Sequence, residues 1–296
     1  MTAPGLAPRA VAAAYAEACR AELAALKPGN VHAYAEGHRM TLADFEASAA
    51  VSAPHVAAAG AGVGARAEGA VAATMARVGQ NTNLGIVLLC APLAAAAERP
   101  GCLRPALAAV LEGLDGADAA GVYAAIRLAN PGGLGRAARH DVTAGGAPPP
   151  LAAAMAEAAG RDRIARAYVT GFSDLFEVGL PALAGARARG LRAPWTTTAV
   201  HLAFLTAFPD SHIARKFGAD AAEAVRADAQ AALGALDLGA DPIEALLAHD
   251  RALKAAGRNP GTSADLTVAT LFLDALLGLK AAADNSPSGT QPANRS

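Results

Sequence analysis

Five compact polar blocks interrupt an otherwise apolar chain of 296 residues, and they hold most of what could do chemistry. They are Lys27-Pro28-Gly29-Asn30-Val31-His32, Gln80-Asn81-Thr82-Asn83-Leu84-Gly85, Pro131-Gly132-Gly133-Leu134-Gly135 leading to His140-Asp141, Pro209 to Lys216, and Asn259-Pro260-Gly261-Thr262-Ser263-Ala264-Asp265. Lys27, Arg215 and Lys216 supply full positive charges, and an arginine can fork two phosphate oxygens. Gly29, Asn30, Asn81, Thr82, Asn83, Gly85, Gly261 and Ser263 sit where loops run into helices, so amide donors and partial positive charge could converge on an anion. Asp210, Asp265 and Asp141 could hold Mg2+, which commonly takes one or two carboxylates together with substrate phosphates. These pieces describe a nucleotide-polyphosphate site. The common nucleotide folds are disfavoured, since there is neither a Walker-type glycine loop nor a strand-flanked G-x-G-x-x-G.

Each block also has a plainer reading. Lys27-Pro28-Gly29-Asn30 stops a helix, Asn81-Thr82-Asn83 caps the apolar helix that follows, and Asp265 closes a capping box with Thr262. His140-Asp141 reads as a solvated loop pair, and Arg215-Lys216 as a charged helix face.

The elements that must position these residues are helices. Alanine dominates, and β-branched and aromatic residues rarely alternate, which predicts an all-α fold of many closely packed helices. A first helix over residues 10–26 ends at Pro28-Gly29. Thr41-Leu42-Ala43-Asp44, Asp115-Gly116-Ala117-Asp118, Asp241-Pro242-Ile243-Glu244 and Thr262-Ser263-Ala264-Asp265 read as helix starts, the third with proline at the first helical position. Residues 143–150, TAGGAPPP, read as a surface loop. Similar composition on both sides of it, and informative loops spread along the chain, predict one domain over residues 1–280 with its polar junctions converging on one cleft. Residues 281–296 offer almost nothing apolar to bury and read as a disordered tail.

Twenty-five Lys+Arg against 26 Asp+Glu give a net charge of −1, which argues against a nucleic-acid binder needing surplus cations. Three cysteines without C-x-x-C spacing argue against a disulfide scaffold or a cysteine-rich zinc site. The apolar run Leu84 to Ala97 is shorter than the roughly 18 residues that mark a membrane span, and Pro92 interrupts it. Glu17, Arg20 and Glu22 break any export signal, so no membrane role and a cytoplasmic location are expected.

Taken in order, Glu22 with KPGNVH, Asp44-Phe45 and Ser48, NTNLG, the Asp210 and Arg215 block, and NPGTSADL resemble the triphosphoribosyl-dephospho-CoA synthase family from about Glu22 to Leu277. Leu84 stands where that family's N-T-H-K-G block carries lysine, Thr262 where P-G-G-S-A-D-L carries glycine, and Arg39 interrupts an H-x-D-M-like stretch. The chain is thus similar to a divergent branch carrying NTNLGI and NPGTSADL. The resemblance implies a transferase that moves a triphosphoribosyl group from ATP to dephospho-CoA or a related acceptor, releasing adenine. It implies Asp210 and Asp265 for metal and electrostatic work, and Glu22 for the base. Lys27, Arg215 and Lys216 would grip the triphosphate, and Asn81, Thr82, Asn83 and Ser263 would bond phosphate or ribose. Two rivals remain at this point: a histidine-aspartate metal phosphohydrolase, prompted by His140-Asp141 among His32, His38, His201, His212 and His249, and a non-catalytic nucleotide-binding protein of the same fold.

Overall fold

The computed structural model describes residues 4–35, 40–131, 148–240 and 242–284, and among these every regular element is helical. Six helices, α1 (Pro8–Ala24), α2 (Leu42–Val56), α3 (Val63–Val78), α4 (Leu84–Ala97), α5 (Leu103–Glu112) and α6 (Gly116–Ala129), form the first half. The second half comprises α7 (Leu151–Ala158), α8 (Arg163–Thr170), a π-helical turn Leu175–Gly179, α9 (Leu180–Ala188), α10 (Trp195–Ala207), α11 (Ser211–Phe217), α12 (Ala219–Leu233), α13 (Ile243–Ala255) and α14 (Gly261–Asp284).

The two clearest start signals operate as written. Thr41 Oγ1 accepts from the Asp44 amide while Asp44 Oδ2 accepts from the Thr41 amide, at 3.3 and 2.9 Å. Asp115 and Asp118 make the same reciprocal box at α6. The other two differ. Pro242 is the residue before α13 and not its first helical residue, and Asp241 lies outside the described residues. At α14 the helix already begins at Gly261, so Thr262 and Asp265 lie inside its first turns and form no box; the amide there is capped from another element. Helix α1 stops at Ala24, two residues short of the expected end. Residues 281–284 continue α14, so the helix overruns the expected tail boundary, helped by Lys280 Nζ donating to the Arg99 carbonyl at 2.7 Å. Residues 285–296, and residues 143–147 of the expected loop, lie outside the described residues.

Helices α4 and α14 form the centre. Almost every residue of α4 is buried, and α14 buries Leu266, Val268, Ala269, Phe272, Leu273 and Leu276 against α1, α4 and α10. By length and composition α14 is apolar enough to cross a membrane, but half of that window is buried inside the protein, as in a core helix. Pro92 does not interrupt α4. It removes the amide that would bond the Leu88 carbonyl, and the Tyr168 hydroxyl donates to that carbonyl instead, at 2.7 Å. A second apolar cluster of Leu26, Ala186, Leu202, Leu205, Ile213, Val225, Leu246 and Leu253 gathers α9 to α13. Helix α10 joins the two, with Val200 and Phe204 in the first cluster and Leu202 and Leu205 in the second. The result fixes the starts of α4, α8, α11 and α14 around one opening.

Candidate active site

A cavity of about 1090 Å³ opens where those four helices begin. Sites for small molecules occupy roughly 300–1,000 Å³, so this one has room for a nucleotide and a second reactant. All five polar blocks reach it: Asn30 from the first, Asn81, Thr82, Asn83 and Gly85 from the second, Pro131 from the third, Arg215 and Lys216 from the fourth, Gly261 and Asp265 from the fifth. Glu22 lines it as well. The third block lies outside the described residues from Gly132 onward, and with it Asp141.

Asp265 is one of the acids that line the cavity. It faces the cavity from α14 and makes no hydrogen bond among the described residues. Its neighbour across the gap is the first turn of α4: a Cβ placed on Gly85 would stand 2.0 Å from Asp265 Oδ2 and 2.8 Å from Ile164 Cδ1. Only glycine at 85 lets the carboxylate approach there. Burial, then the negative charges of Asp210 and Glu22, hold the Asp265 carboxyl well above the usual carboxylate range, with Arg215 opposing. Gly85→Ala should therefore keep the fold, since alanine suits a helix, yet lower activity about tenfold or more by displacing Asp265. Matched thermal melts and rate measurements check this; unchanged rates would mean that the carboxylate can shift without loss.

Asp210 does not share that role. Oδ1 accepts the amides of His212 and Ile213 at 2.9 and 3.2 Å, which caps α11. Oδ2 accepts the amide and hydroxyl of Ser263, both at 2.8 Å, which caps α14. Four donors occupy its lone pairs, it is 3% exposed, and it does not line the cavity. The expected metal and catalytic role of Asp210 is corrected to that of a clamp between two helix starts. Burial raises its pKa, partly offset by the Ser263, Ile213 and His212 donors. Ser263 is corrected likewise, because its hydroxyl is committed to Asp210 behind the cavity wall. Thr262, where the related motif has glycine, accepts the His212 amide at 3.1 Å and adds a second tie between α11 and α14.

Lys27 is corrected as well. It is 0% exposed and its Nζ donates to Glu22 Oε1, to Asn30 Oδ1 at 3.2 Å and to the Val31 carbonyl at 2.7 Å. An ammonium has three donors, so none is left for phosphate. Gly29 serves packing: its φ is +84° and a Cβ there would meet Leu253 and Pro260 side-chain atoms at 2.8 Å. The first block is thereby set against the fifth, with Asn30 Nδ2 donating to Asn259 Oδ1, and is tied to α13 by the Gly29 amide donating to Asp250 Oδ1, each at 2.8 Å. In the second block Asn81 Oδ1 caps the Leu84 amide at 3.1 Å, as the plainer reading expected. Asn83 Nδ2 turns inward to Ser52 and Thr74, and Thr82 pairs with the Ser48 hydroxyl. Gly261 leaves space for the His212 ring, whose Nδ1 would lie 2.8 Å from a Cβ at that position.

The cations that do reach the cavity include several that sequence reasoning missed. Arg161, Arg163 and Arg166 line it beside Arg215 and Lys216. Arg163 is held by Asp174 through three contacts of 2.7–3.0 Å and lies 3.5 Å over the Phe208 ring, so it is a wall rather than a reaching arm. Asp162 caps α8 with Oδ1 and orients Arg215 NH1 with Oδ2 at 3.2 Å. Exposed Arg161, Arg166 and Lys216 add cations to a rim that also carries Glu157, Asp220 and Glu223. The signal was present: Arg161-Asp162-Arg163 and Arg166 place three arginines and a capping acid in six residues of an alanine-rich stretch.

No group of three His, Cys, Asp or Glu suited to a metal ion occurs among the described residues. His32 lies 3.3 Å from Asp250, His201 is fully buried, and His38 and His140 lie outside the described residues. The arrangement therefore gives no support to a histidine-aspartate phosphohydrolase. What it can do is hold a polyanion at the rim, with Asp265 and Glu22 as carboxylates at the cavity surface.

A family model described as CitG, ATP:dephospho-CoA triphosphoribosyl transferase, matches residues 8–283. No curated protein sequence matches the chain. Among solved structures, a proposed triphosphoribosyl-dephospho-CoA synthase from Archaeoglobus fulgidus is similar, with a TM-score of 0.59 and 24% identity over 78% of this chain and 98% of that one. At that identity the likeness bears on fold alone.

Proposed function

The chain belongs to the ATP:dephospho-CoA triphosphoribosyl transferase family, and from that premise we propose how its own residues carry the reaction. The family's activity transfers the triphosphoribosyl group of ATP to dephospho-CoA. A hydroxyl oxygen of the acceptor forms a bond to the anomeric carbon as the bond from that carbon to adenine breaks. The electron pair leaves with adenine, which takes up one proton, while the acceptor hydroxyl gives up one, so the exchange is proton-neutral.

The single observation that carries the assignment is the gathering of Glu22, Asp265, Arg215 and Lys216 on one cavity from remote parts of the chain. Arg215, oriented by Asp162, and Lys216 with Arg161 and Arg166 bind the triphosphate. Glu22 takes the proton of the acceptor hydroxyl. Asp265 faces the positive charge that develops on the ribose, and it is a carboxylate that fits Mg2+ bound jointly with phosphates: it reaches the cavity, has no hydrogen-bond partner among the described residues, and stands among other acids. Mg2+ bound there supplies charge neutralisation to the triphosphate. With unpaired Cys19, Cys90 and Cys102, the cytoplasm is the proposed location.

The test is chromatography of ATP incubated with the protein, Mg2+ and dephospho-CoA, where free adenine should accumulate in step with the triphosphoribosylated acceptor. ATP binding without adenine release would instead make this a nucleotide-binding protein on a transferase fold. Arg215→Ala should lower kcat/KM for ATP by about 10- to 100-fold through loss of a charge-assisted contact.

A further inference from the structure

The buried Lys27 has no access to a ligand, yet its ammonium sits against a carboxylate that does. Glu22 lies at the end of α1 with its side chain only 5% exposed, and what it shows faces the cavity. One oxygen, Oε1, accepts from Lys27 Nζ. The other donors of Nζ go to Asn30 Oδ1 and the Val31 carbonyl, both within the same turn, so the ammonium is fixed at three points and cannot follow a ligand. Asn30 is itself held by Asn259 of the fifth block, which carries the fixation across to the start of α14.

We propose that Lys27 is a positioning residue for the transfer reaction: it holds Glu22 ionised and aimed at the cavity, ready to accept the acceptor's proton. This rests on the reading of Glu22 as the base. An isolated carboxylate so deeply enclosed would bind a proton and could no longer act as a base near neutrality. Burial raises the Glu22 carboxyl above its ordinary value, and the Lys27 charge and hydrogen bond oppose that rise without cancelling it. Burial pushes Lys27 down, and Glu22 opposes that in turn. The other titratable groups facing the pair are Cys19 of α1 and Asp265 of α14 toward Glu22, and Lys254 of α13, His32, His201 of α10 and Asp265 toward Lys27. Burial holds His201 well below the usual imidazole range, and it also lowers His32. Burial thus disfavours a positive charge on either ring that would compete with Lys27.

The experiment measures adenine release against pH, with saturating ATP and dephospho-CoA, for the wild type, Lys27→Met, Lys27→Arg and Glu22→Gln, together with KM for ATP. Lys27→Met should move the acid limb of kcat at least one pH unit upward and cost about 10- to 100-fold at pH 7, recovering much of the loss at high pH. KM for ATP should stay within about threefold. Lys27→Arg should keep the limb near its wild-type position. A coincident acid limb in Lys27→Met, or an ATP KM raised tenfold with the limb unmoved, would overturn the proposal, the latter returning Lys27 to phosphate binding. If Lys27→Met does not fold, the double variant Glu22→Gln/Lys27→Met removes both charges; it should fold and match Glu22→Gln in rate, and a further tenfold loss would refute coupling through Glu22. Near-normal activity of Glu22→Gln would mean that the reading of Glu22 as base has failed. A slow Glu22→Gln variant beside an unshifted Lys27→Met profile refutes the positioning role alone.

Discussion

Asp265→Asn should abolish most adenine release while making the protein more stable. The loss should reach roughly two orders of magnitude, because the amide keeps the size of the side chain but not the charge that, on the proposed function, would face the ribose and a phosphate-bound cation. The gain in stability has a separate cause. Burial and the nearby charges of Asp210 and Glu22 raise the Asp265 pKa in the folded state. A group raised in this way is tolerated fully when neutral in both states, below the ordinary carboxylate pKa of about 3.9. It costs the folded state progressively more as pH rises from there toward the folded pKa. The melting temperature of the variant should thus match wild type near pH 4 and exceed it by about 2–6 °C near neutrality, from relief of an unpaired, desolvated carboxylate. Melting curves at several pH values, with activity assayed beside them, decide the matter. A variant that loses stability and keeps its rate would be a lost helix cap, which the position of Asp265 inside α14 argues against.

The helical class, the reciprocal caps at Thr41 and Asp115 and the meeting of the polar blocks were legible because each depends on local chemistry or on the scarcity of polar residues in an apolar chain. Which face of a block looks outward was not. Lys27 and Arg215 are both cations in polar blocks, but the first is enclosed by α1 and its own turn, while the second stands at the rim against Asp162. Asp210 and Asp265 are likewise both acids near a helix start, and only the packing of α11 on α14 separates them. Arg161 and Arg166 could have been found from charge density alone. Pro92 shows the same limit: an interior proline leaves the Leu88 carbonyl without its helical amide, and the hydroxyl that satisfies it comes from Tyr168, distant in sequence.

That separation makes Asp210 the complement of Asp265. Its two oxygens cap α11 and α14 together, so Asp210→Ala removes four hydrogen bonds to a charged acceptor and leaves buried amides at two helix starts. Loss of one cap costs about 1 kcal/mol, and buried bonds to a charge cost more, so about 3 kcal/mol is expected. For a chain of this size the fall in melting temperature should be about 5–10 °C. Asp210→Asn should suffer nearly as much, because one of its oxygens becomes an amide nitrogen that faces donors rather than acceptors. Activity should fall in both, through misplacement of Arg215 and Asp265, but extra Mg2+ should restore none of it. Had Asp210 been a metal ligand, Asp210→Asn would lose its rate without losing stability, and its requirement for Mg2+ would rise. Thermal melts of both variants, with rates measured across a Mg2+ titration, separate the clamp from the ligand, since each reading demands the opposite pairing of stability and metal dependence.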